Sequence, residues 1–248
     1  MGISTIEVLL VIFLATVIRS AFGFGEALIA VPLLAFCIPL KEAAPLAVLV
    51  SITIASIVVV QDWKKIHLSS AGWLVISTLP GIPLGLLLLT RGHQHLVKGT
   101  LAVIIILFSC YSLLGRAQLE LRRDNRWWLF LCGLSAGVLG GAYGMNGPPL
   151  VIYGSMRRWS AQQFRATLQA YFLPASILGM TGFLFAGLWV PAVTRYYLFS
   201  IPVMIPAVLL GRAINHRLSG ELFLKYVYMG LAVVGVLLLL QAVKTWSG

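Results

Sequence analysis

The sequence predicts an all-α polytopic membrane protein made of two inverted repeats, with broken or re-entrant helices and eight to ten helical segments. Three observations carry that prediction. Hydrophobic residues fill 60% of the 248 positions and charged residues only 10%, against roughly 25% charged in a water-soluble domain. The mean hydropathy is +0.97, so the chain is solvated by lipid. Apolar runs fall in two sets of five, divided by a polar stretch at 116–126, and each set is interrupted at a matching place by a glycine-rich break.

In chain order the first set covers residues 3–20, 27–40, 43–60, 71–90 and 99–114. Residues 3–36 as one straight helix would run roughly 51 Å, too long for a single crossing of a hydrocarbon core of about 30 Å. The break Phe22-Gly23-Phe24-Gly25-Glu26 therefore folds this stretch into two arms. Because Met1-Gly2 lacks a basic n-region, the stretch reads as a first membrane segment and not as a removed signal. The second set covers 127–142, 147–156, 161–187, 193–214 and 222–241, and its arm at 147–156 is only about 15 Å long, half a membrane. Pro80 and Pro83 in one half, and Pro202 and Pro206 in the other, mark kinks at matching places where helices bend during gating.

The halves match in order. Phe22-Gly23 pairs with Tyr143-Gly144, Ala55-Ser56-Ile57 with Ala175-Ser176-Ile177, Gly85 with Gly211, and Lys98 with Lys225. The expected organisation is a first transmembrane repeat at 1–115, a cytoplasmic linker at 116–126 and a second repeat at 127–248. An odd number of arms and spans per half inverts the second half. Basic residues agree: with an outside N-terminus, Arg19, Lys64, Lys65, Arg116, Arg122, Arg123, Arg126, Arg157, Arg158, Arg165, Arg212, Arg217 and Lys225 lie inside. Only Lys41, Arg91, Lys98, Arg195 and Lys244 lie outside, the asymmetry of the positive-inside rule. A parallel arrangement splits them almost evenly. The +11 net charge thus reflects membrane topology and not a nucleic-acid partner.

No cofactor or metal is expected. Cys37, Cys110 and Cys132 lie in apolar runs, read as small buried hydrophobes, and their odd number gives no disulfide framework. His67, His93, His95 and His216 fall in loops or at helix ends, and the His93-x-His95 pair has no acidic or thiolate partner nearby. Gly133, Gly137 and Gly141 form a small-xxx-small ridge suited to helix packing. Trp127, Trp128, Trp189, Tyr196 and Tyr197 suit interfacial anchoring.

Paired interruptions in two halves are the best sequence pointer to a transporter site. A helix starting inside the membrane presents free N–H groups and the positive end of its dipole, and such ends bind anions. Pro148 and Pro149 suit a first helical turn, Gly144 and Gly147 allow close backbone approach, and Asn146 either caps the helix or donates its amide to a ligand. The candidate substrate-binding set is Gly23, Phe24, Gly25, Tyr143, Gly144, Asn146, Gly147 and Pro148, joined by Arg165 and Gln169, which lie four apart on one helix face. Arg165 has a second reading, snorkelling to the cytoplasmic surface. Glu26 is the candidate for proton coupling, since an intramembrane acid is by default functional; its alternative is satisfying N–H groups at its own helix start. The expected partners are a small anionic substrate, the lipid bilayer and protons, with a homodimer left open. An intramembrane enzyme is the competing class, but the only acids inside apolar runs are Glu7 and Glu26, and the histidines lie outside or at the ends of such runs. A scaffold would have no use for a duplicated, costly break.

The run Gly140-x-x-x-Gly144-x-x-Gly147-Pro148-Pro149, with Tyr153-Gly154 after it and the Phe22-Gly23-Phe24-Gly25 break before it, resembles the sulfite exporter TauE/SafE family of membrane permeases. The likeness covers nearly the whole chain, and Asn146-Gly147-Pro148-Pro149 is its most specific part. It implies a multi-pass inner-membrane transporter of sulfite, thiosulfate or organosulfonates such as sulfoacetate, working by alternating access; a small-carboxylate permease is the variant reading. The family's first break is commonly glycine-rich, and Glu26 departs from that pattern.

Overall fold

A computed structural model describes residues 5–62, 68–114, 121, 125–157, 161–217 and 220–244. Within them the chain forms eleven helices and no strand. The first half holds α1 (Thr5–Phe22), α2 (Glu26–Cys37), α3 (Leu40–Asp62), α4 (Leu68–Thr78), α5 (Gly81–Arg91) and α6 (Gln94–Leu114). The second holds α7 (Arg126–Tyr143), α8 (Gly147–Met156), α9 (Ala161–Phe185), α10 (Pro191–Arg217) and α11 (Gly220–Lys244). The run at 71–90 is two helices: Leu79 and Pro80 break it, and the flanking pieces meet at 44°. That break takes the count one above the ten apolar runs. Its counterpart α10 stays one helix through Pro202 and Pro206.

Among the described residues four helices are long and apolar enough to cross a membrane, and the bent α4–α5 pair makes a fifth. Their burial sorts them. In the membrane-length window of α3 67% of residues are buried and in that of α9 50%, so these two pack together at the centre. The α6 and α10 windows are only 33% and 22% buried, with side chains such as Leu107, Leu198 and Leu209 left outward for lipid.

Both breaks are built alike. The helices before them end at Phe22 and Tyr143, 121 residues apart, and the helices after them begin at Glu26 and Gly147, again 121 apart. Gly23 (φ 82°) and Gly144 (φ 67°) stop the first arm in the left-handed conformation that side chains with a Cβ resist. Their N–H groups close the same final turn, Gly23 to the Arg19 carbonyl at 2.6 Å and Gly144 to the Gly140 carbonyl at 2.8 Å.

Packing repeats across the halves. Helix α1 lies along α10, as α7 lies along α4 and α5. A Cβ on Gly85 would collide with the Val138 carbonyl and the Ala142 N–H, and one on Gly211 would collide with the Val17 carbonyl and the Ala21 N–H. Val17 and Ala21 precede Val138 and Ala142 by 121 residues. Gly133, Gly137 and Gly141 form the packing ridge expected of them, facing Leu74, Thr78 and Ile82 backbone on α4 and α5.

Two expectations change. Cys110 is exposed on the lipid-facing surface and is not a buried hydrophobe, whereas Cys132 is buried. Arg19, counted with the cations of the inner side, is 3% exposed in the last turn of α1 and does not face the aqueous surface. Most of the 116–126 linker, Lys64, Lys65, His67 and Arg158 lie outside the described residues.

Candidate functional site

The two short arms explain why a site forms where it does. Helix α2 has 12 residues and α8 has 10, about 18 and 15 Å, so each reaches only partway through a membrane. Each begins at a break, and the two starts face one narrow cavity of about 20 Å³, room for little more than a water molecule. Phe24, Gly25 and Glu26 line it from the first break and Gly144, Asn146, Gly147 and Pro148 from the second. The remainder of the wall comes from Arg19, Ser51 on α3, Phe108 on α6, and Phe172 and Ser176 on α9. Pro148 and Pro149 sit in the first turn of α8, where a missing N–H leaves no bond unmade. Ends of this kind offer backbone N–H groups and positive dipole to an anion.

At the wall of the cavity a guanidinium meets a carboxylate. Arg19 Nη1 donates to Glu26 Oε2 and to Ser51 Oγ (2.6 Å), and Arg19 Nη2 donates to Gln169 Oε1 (2.9 Å). Its guanidinium also lies over the Phe172 ring, 5.2 Å from the centroid, a favourable placement for a cation on a π face. Gln169 is held in turn by donating Nε2 to the Gly23 carbonyl at 2.7 Å. Glu26 is 1% exposed. Arg19 Nε and Glu26 Oε1 are buried with no hydrogen-bond partner. A charged pair this far from water needs most of its polar atoms satisfied, so two free ones beside a cavity mark where a ligand or water would bond.

Asn146 holds the opposite wall. Its amide fills the space above Gly140, where a Cβ would sit 2.8 Å from Oδ1, and it is within hydrogen-bonding reach of the Tyr171 hydroxyl. Tyr171 continues to Thr78 Oγ1 at 2.8 Å, the last residue of α4 before the bend. Gly140 and Gly147 stand 121 residues after Arg19 and Glu26. The first half therefore contributes the charged pair and the second an amide and bare backbone.

Of the residues singled out in the sequence, Phe24, Gly25, Glu26, Gly144, Asn146, Gly147 and Pro148 are brought to the cavity. Gly23 and Gln169 stand behind it, bonded to each other. Tyr143 is buried but turned toward α6, donating its hydroxyl to the Val97 carbonyl at 3.0 Å. The Arg165 side chain lies outside the described residues. Glu26 pairs with Arg19, and Gly25, the residue before α2, makes no side-chain cap. The residues that sequence reasoning missed are Arg19, Ser51, Phe108, Phe172 and Ser176. A signal for Arg19 existed: it lies seven residues before Glu26, across the break.

Half-length helices that meet at a buried polar site are the arrangement by which membrane transporters hold a substrate. The family model described as sulfite exporter TauE/SafE matches residues 8–238, and the chain belongs to that family. It is similar to a protein of Cupriavidus necator described as a probable sulfite/organosulfonate exporter TauE, 24% identical over 191 residues, covering 75% of this chain and 71% of that one. No solved structure matches the chain.

Proposed function

We propose that this protein is an inner-membrane exporter of small sulfur oxyanions, sulfite, thiosulfate or sulfoacetate-like organosulfonates, working by alternating access between two inverted halves. The observation that carries the reading is the convergence of two half-helix N-termini and the buried Arg19 on one narrow cavity. Arg19 supplies the positive charge, and its planar fork matches the oxygens of a sulfonate or sulfite. The starts of α2 and α8 supply N–H groups, and Asn146 supplies an amide. A cavity of about 20 Å³ is too small for such an anion, so this structure corresponds to a closed form that must widen to load. The repeated glycine crossings, Gly85 of α5 against α7 and Gly211 of α10 against α1, support a rocking of matched halves about the site. The Cupriavidus necator relative supports the substrate class and the outward direction. Glu26 couples the movement to protons.

Reconstituted protein tests this reading. Liposomes loaded with sulfite, thiosulfate, sulfoacetate, sulfolactate or simple carboxylates are compared for efflux. Faster efflux of the sulfur oxyanions, lost in Arg19→Gln, is the expected result. Carboxylate efflux without sulfur-anion efflux would move the assignment to a carboxylate permease.

A further inference from the structure

We propose that Glu26 and the transported anion are alternative partners of Arg19, so that a singly charged oxyanion binds only as Glu26 takes up a proton. The two then cross together as a neutral unit. The inference rests on the anion-transport reading above and adds to it a stoichiometry of one proton per anion.

Four observations converge. Arg19 spends both Nη1 hydrogens on Glu26 and Ser51 and gives one from Nη2 to Gln169, leaving Nε without a partner. An arriving anion therefore finds two of the five N–H donors free, on Nε and Nη2, and gains Nη1 as well by replacing the Glu26 carboxylate, the one negative charge already held there. The cavity beside the pair has no space for an anion with Glu26 in place. Two negative charges cannot both stay ionised that close together out of water; one of them takes a proton. And the pair occurs once: the positions matching Arg19 and Glu26 in the second half are Gly140 and Gly147, and among the described residues no other buried side chain carries charge. One cation and one proton site give one proton per anion.

The surroundings of Glu26 leave it the titrating group. On the elements packed against α2, among the described residues, Glu7 of α1 acts on Cys37 at the far end of the helix, and Lys98 of α6 is bonded to the Ala35 carbonyl there. Lys41 and Glu42 open α3 just past that same end, and Lys244 closes α11. His95, Cys110 and Tyr111 on α6, Tyr153 on α8 and Tyr228 on α11 complete the list of groups whose side chains are described. Among the described residues the ion pair of Glu26 is with Arg19. The proton enters at Oε1, the oxygen with no partner, and leaves to water on the far side as the anion departs and Arg19 closes again on the carboxylate.

The test is calorimetric titration of the purified full chain with methanesulfonate, which stays a monoanion throughout the neutral and mildly acidic range. Running it in two buffers of different ionisation enthalpy counts protons taken up. The expected result is one proton per anion, with wild-type affinity falling about tenfold per pH unit once Glu26 is ionised, as one linked proton requires. Glu26→Gln is expected to bind without proton uptake and with affinity flat across pH. Wild-type binding with no proton uptake would overturn the exchange and leave the anion site standing. Failure of methanesulfonate, thiosulfate and sulfoacetate to bind wild type at any pH would overturn the anion reading itself, and the exchange with it.

Discussion

Arg19 and Glu26 stabilise each other at a place where neither could stand alone. Taking one partner from a buried pair leaves an uncompensated charge and costs about 3–5 kcal/mol, whereas removing both is often close to neutral. Arg19→Gln should therefore lower thermal stability in detergent by that order, and Arg19→Gln combined with Glu26→Gln should recover most of it. Neither variant should bind a sulfur oxyanion, since both lack the cation. Stability restored together with binding would show that Arg19 is only a structural partner. Glu26→Gln alone keeps the cation. Exchange of substrate across a liposome should survive in it, while accumulation driven by a pH gradient should disappear, and gradient-driven accumulation at wild-type rates would remove Glu26 from the coupling. Asn146 is a separate case, because its amide is neutral and faces the cavity from the other half. Asn146→Leu is expected to lose substrate-dependent thermal stabilisation while folding normally, a loss of about 1.5–3 kcal/mol if the amide bonds a charged ligand. Undiminished stabilisation would make Asn146 a turn residue.

Among the elements, the glycine crossings decide how closely helices approach. The backbone of α5 sits against the Gly137 and Gly141 face of α7 with no room for a methyl group, since a Cβ on Gly141 would run into the Ile82 carbonyl. Gly141→Ala should therefore destabilise the fold by about 1–3 kcal/mol, the usual cost of overpacking. Gly179→Ala on α9, where a Cβ meets nothing within 4 Å, should be neutral or gain up to about 1 kcal/mol of helix propensity. Melting of the two variants in one detergent checks the contrast. This ridge was readable in the sequence because its spacing is local, as were the breaks at Gly23 and Gly144, where glycines and prolines punctuate apolar runs. The bend at Leu79–Pro80 was readable as a kink but not as a helix end. Arg19 was misread for a physical reason. A cation near the end of an apolar run looks like a loop residue until its partners are known, and apart from Glu26 these lie 32 and 150 residues away at Ser51 and Gln169. Periodicity carries no information about such meetings.

For the whole molecule the open question is orientation, and it turns on how charge and symmetry combine. Moving Arg19 from the loops to the site leaves twelve basic residues on the expected inner side against five outside, so the bias survives the correction. The repeated geometry supports two matched halves, since Gly85 meets α7 as Gly211 meets α1, at positions 121 residues apart on the partner helices. If each arm of a break counts as one passage and the α4–α5 pair as one, each half has five, and an odd number inverts the second. Both termini should then face the periplasm and the 116–126 linker the cytoplasm. Single cysteines at Ser4, Gln118 and Ser247, in a chain with Cys37, Cys110 and Cys132 replaced by alanine, would be probed in intact cells with a thiol reagent that cannot cross the membrane. Ser4→Cys and Ser247→Cys should react at once and Gln118→Cys only after permeabilisation. Reaction of Gln118→Cys in intact cells would exclude the inverted arrangement, because a central linker on the same side as the N-terminus requires an even number of crossings in the first half.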